Sequence, residues 1–142
     1  MRLFLDTSVL LAACGSTTGA SYEIFRKAHF HGWVLMATPY VIGEALNNLA
    51  DFPPAATAQW ANLRADLLVL DDVLTLDRPA VFAAGKDRPI LFSALAWADV
   101  LLTRDTGDFG EILGGSFYGL LVLTPGDFLQ RERVAGNLKL GK

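Results

Sequence analysis

The stretch of sequence that decides the fold is ADVLLTRDTGDF, residues 98–109. Its short apolar run, Val100 to Leu102, has the composition of a buried strand. Thr103 ends this run, and two carboxylates, Asp105 and Asp108, follow three positions apart. In an open α/β sheet, ligands bind in the crevice beyond the carboxyl ends of the strands. We therefore expect a chemical role for these acids if others converge on them, and a plain turn if none do.

Four more apolar runs resemble this strand, and helical segments separate them. The predicted strands are residues 2–5, 33–37, 67–70, 100–102 and 119–123. The predicted helices are residues 9–13, 21–31, 39–50, 54–65, 89–97 and 125–133, with a short helix near 80–84. Uniformly apolar strands that alternate with helices are typical of a mostly parallel sheet covered on both faces. The sequence thus predicts an α/β fold with about five strands.

Length and composition limit the class of protein. With 142 residues the chain is long enough for one domain, which we place at 1–133, with a tail at 134–142 that is frayed or bound to a partner. The net charge of −3 argues against a broad basic nucleic-acid surface, but not against a nucleic-acid enzyme whose acids are neutralised by cations. The single cysteine, Cys14, excludes an intramolecular disulfide and fits a reducing cytoplasm.

The amino terminus resembles a short export signal, because a basic residue precedes an apolar segment at residues 3–13. Asp6 lies inside that segment, however, and a carboxylate at the centre of an inserted helix costs about 2.5–3.5 kcal/mol. No apolar run reaches the roughly 20 residues that span a bilayer. We therefore expect a cytoplasmic protein without a membrane anchor.

Each acidic residue has a structural interpretation when it is taken alone. Asp6 follows the first strand, where it could cap a helix. Asp87 precedes a predicted helix and could also be a cap, while Glu44 within a helix has the pattern of a solvated side chain. Asp99 precedes the strand that Asp105 follows, so it belongs to the opposite end of the sheet and is interpreted as structural.

Taken together, the acids indicate a metal site. Asp6 and Asp105 both leave the carboxyl ends of apolar strands, and a parallel layout can bring Glu44 and Asp87 over the same edge. Several carboxylates in one crevice repel each other unless a cation joins them. Mg²⁺ or Mn²⁺ suits such oxygen ligands, and a site of this kind suits hydrolysis of a phosphodiester.

Polar and basic neighbours extend the predicted site. Thr7, Ser8 and Thr103 are candidates to orient the carboxylates or bound water. Lys86 and Arg88 flank Asp87 and could place cations near a polyanion.

Five segments carry a resemblance to a known family, in order and over essentially the whole chain. They are LDTSVL at 5–10, VIGEA at 41–45, Asp87 with PIL at 89–91 and AL at 94–95, ADVLLTRDTGDF at 98–109, and LTPGDFL at 123–129. The sequence resembles a PIN-domain protein, of the kind found as the toxin in bacterial and archaeal VapBC-type toxin–antitoxin pairs. This resemblance implies a three-layer α/β/α sandwich and a ribonuclease that depends on Mg²⁺ or Mn²⁺.

The resemblance also implies roles for individual residues. The acidic quartet falls on Asp6, Glu44, Asp87 and Asp105, with Asp108 as an accessory acid. We prefer Asp87 to Asp99 as the third acid, because Asp99 would lie at the wrong end of its strand. Arg104 departs from the pattern, since many relatives carry a small residue there. We expect it to contact RNA or a partner, or to neutralise Asp105 in part.

The predicted function is therefore a metal-dependent endoribonuclease that acts on single-stranded or looped RNA as the toxin of a pair with an antitoxin. One alternative is a non-catalytic PIN scaffold that binds RNA or a protein. Another is a phosphohydrolase similar to haloacid dehalogenases, with Asp6 as nucleophile, although Ser8 stands where those enzymes carry their second aspartate. The apolar content of 52% indicates a surface buried by a second copy or by a partner, and we expect a homodimer.

Overall fold

The computed structural model describes residues 1–74 and 87–138 of the chain. The helix predicted near residues 80–84 and the side chain of Lys86 lie outside these described residues. The division into a domain at 1–133 and a tail at 134–142 stays a prediction.

Helices and strands alternate along the described chain. In order, the elements are β1 (Arg2–Leu5), α1 (Thr7–Gly15), α2 (Ala20–His31), β2 (Val34–Ala37), α3 (Pro39–Leu49), α4 (Pro54–Arg64), β3 (Leu67–Val69), α5 (Arg88–Trp97), β4 (Val100–Leu102), β5 (Ser116–Phe117), β6 (Leu120–Leu123) and α6 (Pro125–Val134). No helix within 1–74 or 87–138 combines the length and the apolar character that a bilayer crossing needs.

The strands form one mostly parallel sheet in the order β3-β2-β1-β4-β6-β5. Strand β1 lies at the centre, and its residues Leu3, Phe4 and Leu5 are fully buried. Such continuous burial explains why β1 has no polar alternation in its sequence. The sheet confirms the predicted α/β class, with its helices packed against the strands and against one another.

The sixth strand, β5, was not predicted. It has only two residues and pairs antiparallel with β6, with Phe117 opposite Leu120. The turn between them holds Tyr118 at φ 49° and Gly119 at φ 86°. Positive φ at both central residues is the geometry of a tight hairpin turn. This turn holds β5 against β6, and β5 is too short to show an apolar pattern in the sequence.

The register of the sheet determines which acidic residues lie at each end of the strands. Leu5 of β1 pairs with Leu102 of β4, so the residues that follow both strands leave the sheet side by side. At the amino ends, Asp99 accepts a hydrogen bond of 2.8 Å from the backbone N–H of Arg2 and forms a 3.1 Å ion pair with its guanidinium. Asp99 is therefore at the opposite end from Asp105, and Arg2 neutralises it there.

Candidate metal centre

Asp6 is buried where β1 ends and α1 begins, with only 4% of its surface exposed. Its carboxylate accepts hydrogen bonds from the Thr7 backbone N–H at 2.7 Å, the Ser8 hydroxyl at 2.8 Å and the Thr103 hydroxyl at 2.7 Å. Asp6 therefore does cap α1, as one interpretation of the sequence had it. Two of its three donors come from hydroxyls that the sequence placed around the site.

Burial of Asp6 raises the pKa of its carboxyl group above the ordinary value. The hydrogen bonds from Thr103, Ser8 and Thr7 oppose this rise, while the negative charge of Asp105 adds to it. The ionised form is thus costly at this place unless positive charge is nearby. A cation that binds here would favour the ionised carboxylate.

Thr103 connects Asp6 to Asp105. Its hydroxyl donates to Asp6 and accepts a hydrogen bond of 3.0 Å from the backbone N–H of Asp105. Asp105 Oδ1 in turn accepts hydrogen bonds from the backbone N–H groups of Gly107 at 3.1 Å and Asp108 at 2.9 Å. The predicted turn therefore exists, and it fixes the Asp105 carboxylate by one oxygen.

Three carboxylates converge at the carboxyl end of β4. One oxygen each of Asp87, Asp105 and Asp108 lies within 4.8 Å of the others. Asp87 is buried at the start of α5, and within the described part of the chain its side chain makes no capping hydrogen bond to that helix. Asp87 therefore holds the N-cap position that the sequence predicted, but without the side-chain hydrogen bond of an ordinary cap. A single hard cation could be shared by oxygens at these separations.

Glu44 reaches the same region through Thr7. The Thr7 hydroxyl donates a hydrogen bond of 2.8 Å to Glu44 Oε1, and the Thr7 backbone N–H donates to Asp6. Glu44 is half-buried on α3, so its interpretation as a solvated helix residue is wrong. Nothing in the local sequence signals this contact, because its partner lies 37 positions away.

The acids therefore form two groups that hydrogen bonds connect. Asp87, Asp105 and Asp108 make the compact cluster, which excludes Asp6 and Glu44 when only the described residues are searched. Asp6 is joined to that cluster by Thr103, and Glu44 is joined to Asp6 by Thr7. We call the five acids together the acidic network.

The basic residues lie at the edge of the acidic network. Arg104 is exposed, and its backbone N–H donates a hydrogen bond of 2.9 Å to the Ser8 hydroxyl. Across the described residues, its guanidinium makes no ion pair with Asp105, so the expected neutralisation of that acid is not observed. Arg88 is exposed at the first position of α5, next to Asp87.

A cleft of about 640 Å³ opens beside the acidic network. Ser8 and Arg104 line it on the side of the acids, and Phe52 lines it as its only aromatic residue among those described. Sequence reasoning missed this cleft, because its walls come from segments far apart in the chain. The one signal available was Arg104, an unexpected cation directly before Asp105.

Comparison with solved structures supports the fold. One match is a chain of VapBC2 from Rickettsia felis, whose structure was solved bound to a DNA fragment of the VapBC2 promoter. It superimposes with a TM-score of 0.60 at 13% sequence identity. The match covers 86% of this chain and 97% of that one. The predicted PIN-like α/β/α fold is thereby confirmed.

A second structure is more distant. VapC20 from Mycobacterium tuberculosis, described as a sarcin–ricin loop cleaving toxin, gives a TM-score of 0.47 at 20% identity over 77% of this chain and 93% of that one. No protein-family model matches the sequence, and no curated protein does. The likeness to VapBC2 therefore establishes the fold, and the function has to be argued from the chemistry of the site.

Proposed function

We propose that this protein is an endoribonuclease that depends on Mg²⁺ or Mn²⁺ and acts as the toxin of a toxin–antitoxin pair. The observation that carries the proposal is the convergence of Asp87, Asp105 and Asp108 within 4.8 Å at the carboxyl end of β4. An acidic cluster at this edge of a parallel sheet is where ligand chemistry is expected. The turn alone explains why Asp105 and Asp108 are close, but it does not explain why the buried Asp87 carboxylate joins them.

Some side chains of the acidic network are candidate metal ligands, and others fix the positions of those ligands. Asp87, Asp105 and Asp108 supply hard oxygen ligands, with Asp6 and Glu44 completing the negative field. Thr103 and Thr7 fix the positions of the carboxylates through hydrogen bonds of 2.7 and 2.8 Å. A bound divalent ion would supply an activated water and stabilise negative charge on the phosphate.

The Asp6 carboxylate is unsuited to the alternative role of a covalent nucleophile. Both of its oxygens accept hydrogen bonds, and its side chain is buried. Ser8, in the position of the second aspartate of those enzymes, donates its hydroxyl to Asp6 and is no carboxylic acid. The missing general acid thus favours metal-assisted hydrolysis over the haloacid-dehalogenase-like route.

Single-stranded or looped RNA is the proposed substrate, because its exposed bases and 2′-hydroxyls are the groups that proteins read. By analogy with the VapBC2 assembly, we also propose an antitoxin partner. A homodimer completes the proposed assembly, as the apolar composition led us to expect.

The nuclease activity can be tested with three matched variants of aspartate to asparagine. Asp105→Asn and Asp6→Asn should abolish Mn²⁺-dependent cleavage of single-stranded RNA, while both proteins remain folded by circular dichroism. Asp99→Asn is the control, since Asp99 lies at the opposite end of the sheet. Cleavage by Asp105→Asn at the wild-type rate would refute the proposed site. RNA binding without any cleavage by the wild type would favour the non-catalytic scaffold instead.

The role as a toxin needs a separate test in cells. Expression of the chain alone should arrest growth, and expression with the neighbouring reading frame should relieve the arrest. The Asp105→Asn variant should not arrest growth, which ties the effect to the acidic network. Unaffected growth with the active wild type would argue for a nuclease of another role.

A further inference from the structure

We propose that the cleft beside the acidic network binds one nucleotide of single-stranded RNA, with its base stacked on Phe52 and an adjacent phosphate at Arg104. This inference rests on the proposed nuclease function and gives that site a substrate-binding part. It assigns contacts to RNA outside the acids, which the acidic network by itself does not provide.

The cleft and the acids share a wall. Ser8 lines the cleft, while its hydroxyl donates to Asp6 at 2.8 Å and accepts from the Arg104 backbone N–H at 2.9 Å. A single polar residue therefore separates the cleft from a carboxylate of the proposed metal site. A nucleotide in the cleft would be connected by its own backbone to a phosphate at the acids.

The size and lining of the cleft fit a nucleobase. Its volume of about 640 Å³ falls within the roughly 300–1,000 Å³ of sites that hold small organic ligands. Leu11, Ala12 and Phe52 give it an apolar surface. Aromatic side chains are the usual stacking surfaces for unpaired bases, because every base presents a π-face.

Phe52 is held in a position suited to stacking. Its ring packs against the backbone of Gly15 at the end of α1, where an added Cβ would lie only 3.3 Å from the ring atom Cε2. The absence of a side chain on Gly15 thus lets the ring approach that helix end closely. The side chain of Phe52 remains partly exposed towards the cleft that it lines.

The charge of the cleft favours a polyanion. None of the described residues that line it is acidic, and Arg104 is their one cation. The guanidinium of Arg104 makes no ion pair or hydrogen bond with any other residue in 1–74 or 87–138. An exposed cation at the edge of an acidic network is therefore available for a phosphate, which the five acids themselves would repel without metal.

Binding of RNA in the absence of metal tests the cleft independently of catalysis. The probes are a fluorescent oligoadenylate RNA and an abasic ribose-phosphate oligomer with the same number of phosphates, both measured by anisotropy in EDTA. The wild type should bind the oligoadenylate about 5- to 150-fold more tightly, which is the effect of stacking one base on an aromatic ring. Equal affinity for the two oligomers would overturn the proposal.

Two variants assign that preference to Phe52. Phe52→Leu keeps an apolar side chain but removes the π-face, so it should bind both oligomers equally. Phe30→Leu is the matched control, since Phe30 is 42% exposed on α2 and does not line the cleft. Retention of the base preference by Phe52→Leu would overturn the proposal.

Arg104 supplies a test that does not depend on the folding of Phe52→Leu. Arg104→Gln changes an exposed side chain, and it should lower the slope of log affinity against log salt by about 1. An unchanged slope would overturn the proposed phosphate contact. If the wild type binds with base preference but never cleaves RNA, the nuclease proposal fails and the cleft stands. If it cleaves RNA without base preference, the cleft fails and the nuclease stands.

Discussion

The most informative perturbation of the acidic network is Thr103→Val, because it removes one hydroxyl and keeps the shape. Thr103 is fully buried, and its hydroxyl bridges Asp6 and the backbone of Asp105. A hydrogen bond to an ionised carboxylate contributes about 1.5–3 kcal/mol, and one between neutral groups about 1 kcal/mol. We expect Thr103→Val to lower the free energy of unfolding by about 2.5–4 kcal/mol, and the Tm by roughly 10 °C.

The chain offers a matched control in Thr38→Val. Thr38 follows β2 as Thr103 follows β4, and it is also fully buried. Its hydroxyl, however, has no hydrogen-bond partner among the residues that the structure describes. Removal of an unsatisfied buried hydroxyl should leave stability unchanged or raise it by about 1 kcal/mol. The two substitutions are chemically identical, so their difference isolates the bridge.

Urea denaturation of both variants measures the difference, and calorimetric titration with Mn²⁺ measures its effect on the site. Loss of the Thr103 bond should raise the pKa of Asp6 further, because that bond favours the ionised form. Mn²⁺ binding by Thr103→Val should therefore weaken more, relative to the wild type, as the pH is lowered, because a larger fraction of its Asp6 is protonated. Equal stability losses in the two variants, or unchanged Mn²⁺ binding by Thr103→Val, would refute the reasoning.

Three further predictions concern stability and reactivity. Asp72→Ala should cost about 1 kcal/mol in urea denaturation, because Asp72 Oδ2 caps α3 through the Tyr40 backbone N–H at 3.1 Å. Cys14 should resist Ellman's reagent at pH 8 until the protein is unfolded, because burial raises the pKa of its thiol to about 11. Asp99→Asn should lower the Tm at pH 7, and this difference should vanish as the pH falls below 3.8 through the native pKa, which Arg2 holds below that value. A Tm difference for Asp99→Asn that persists at pH 2 would contradict this last assignment.

The sequence was sufficient wherever burial alone decides the structure. Strands β1 and β4 have the predicted bounds, because both are buried as continuous apolar runs in the middle of the sheet. The positions of Asp6 and Asp105 follow from that, since parallel neighbours in register release their next residues at one edge. The parallel topology was therefore enough to predict, from the apolar runs alone, that these two acids lie at the same edge of the sheet.

Sequence reasoning failed where long-range contacts decide. Glu44 has the surroundings of a solvated helix residue until α1 brings Thr7 against it. Asp87 has the sequence of a helix cap, yet its carboxylate turns towards Asp105 and Asp108. The cleft depends on Phe52 packing over Gly15, a contact between segments that no periodicity relates. These features arise from packing between elements rather than from patterns within one element.

The hydrogen bonds leave the acids with different numbers of lone pairs for a cation. A carboxylate offers about four lone-pair sites. Asp6 uses three of them on Thr7, Ser8 and Thr103, whereas Asp105 engages only Oδ1 with backbone N–H groups of the described residues. Asp105 can therefore present a whole oxygen to a metal, and Asp6 a single lone pair. It follows that Asp105→Asn should weaken Mn²⁺ binding more than Asp6→Asn, because Asp105 has more lone pairs free for a metal. The reverse order in calorimetric titration would mean that Asp6, and not the cluster after β4, is the principal ligand.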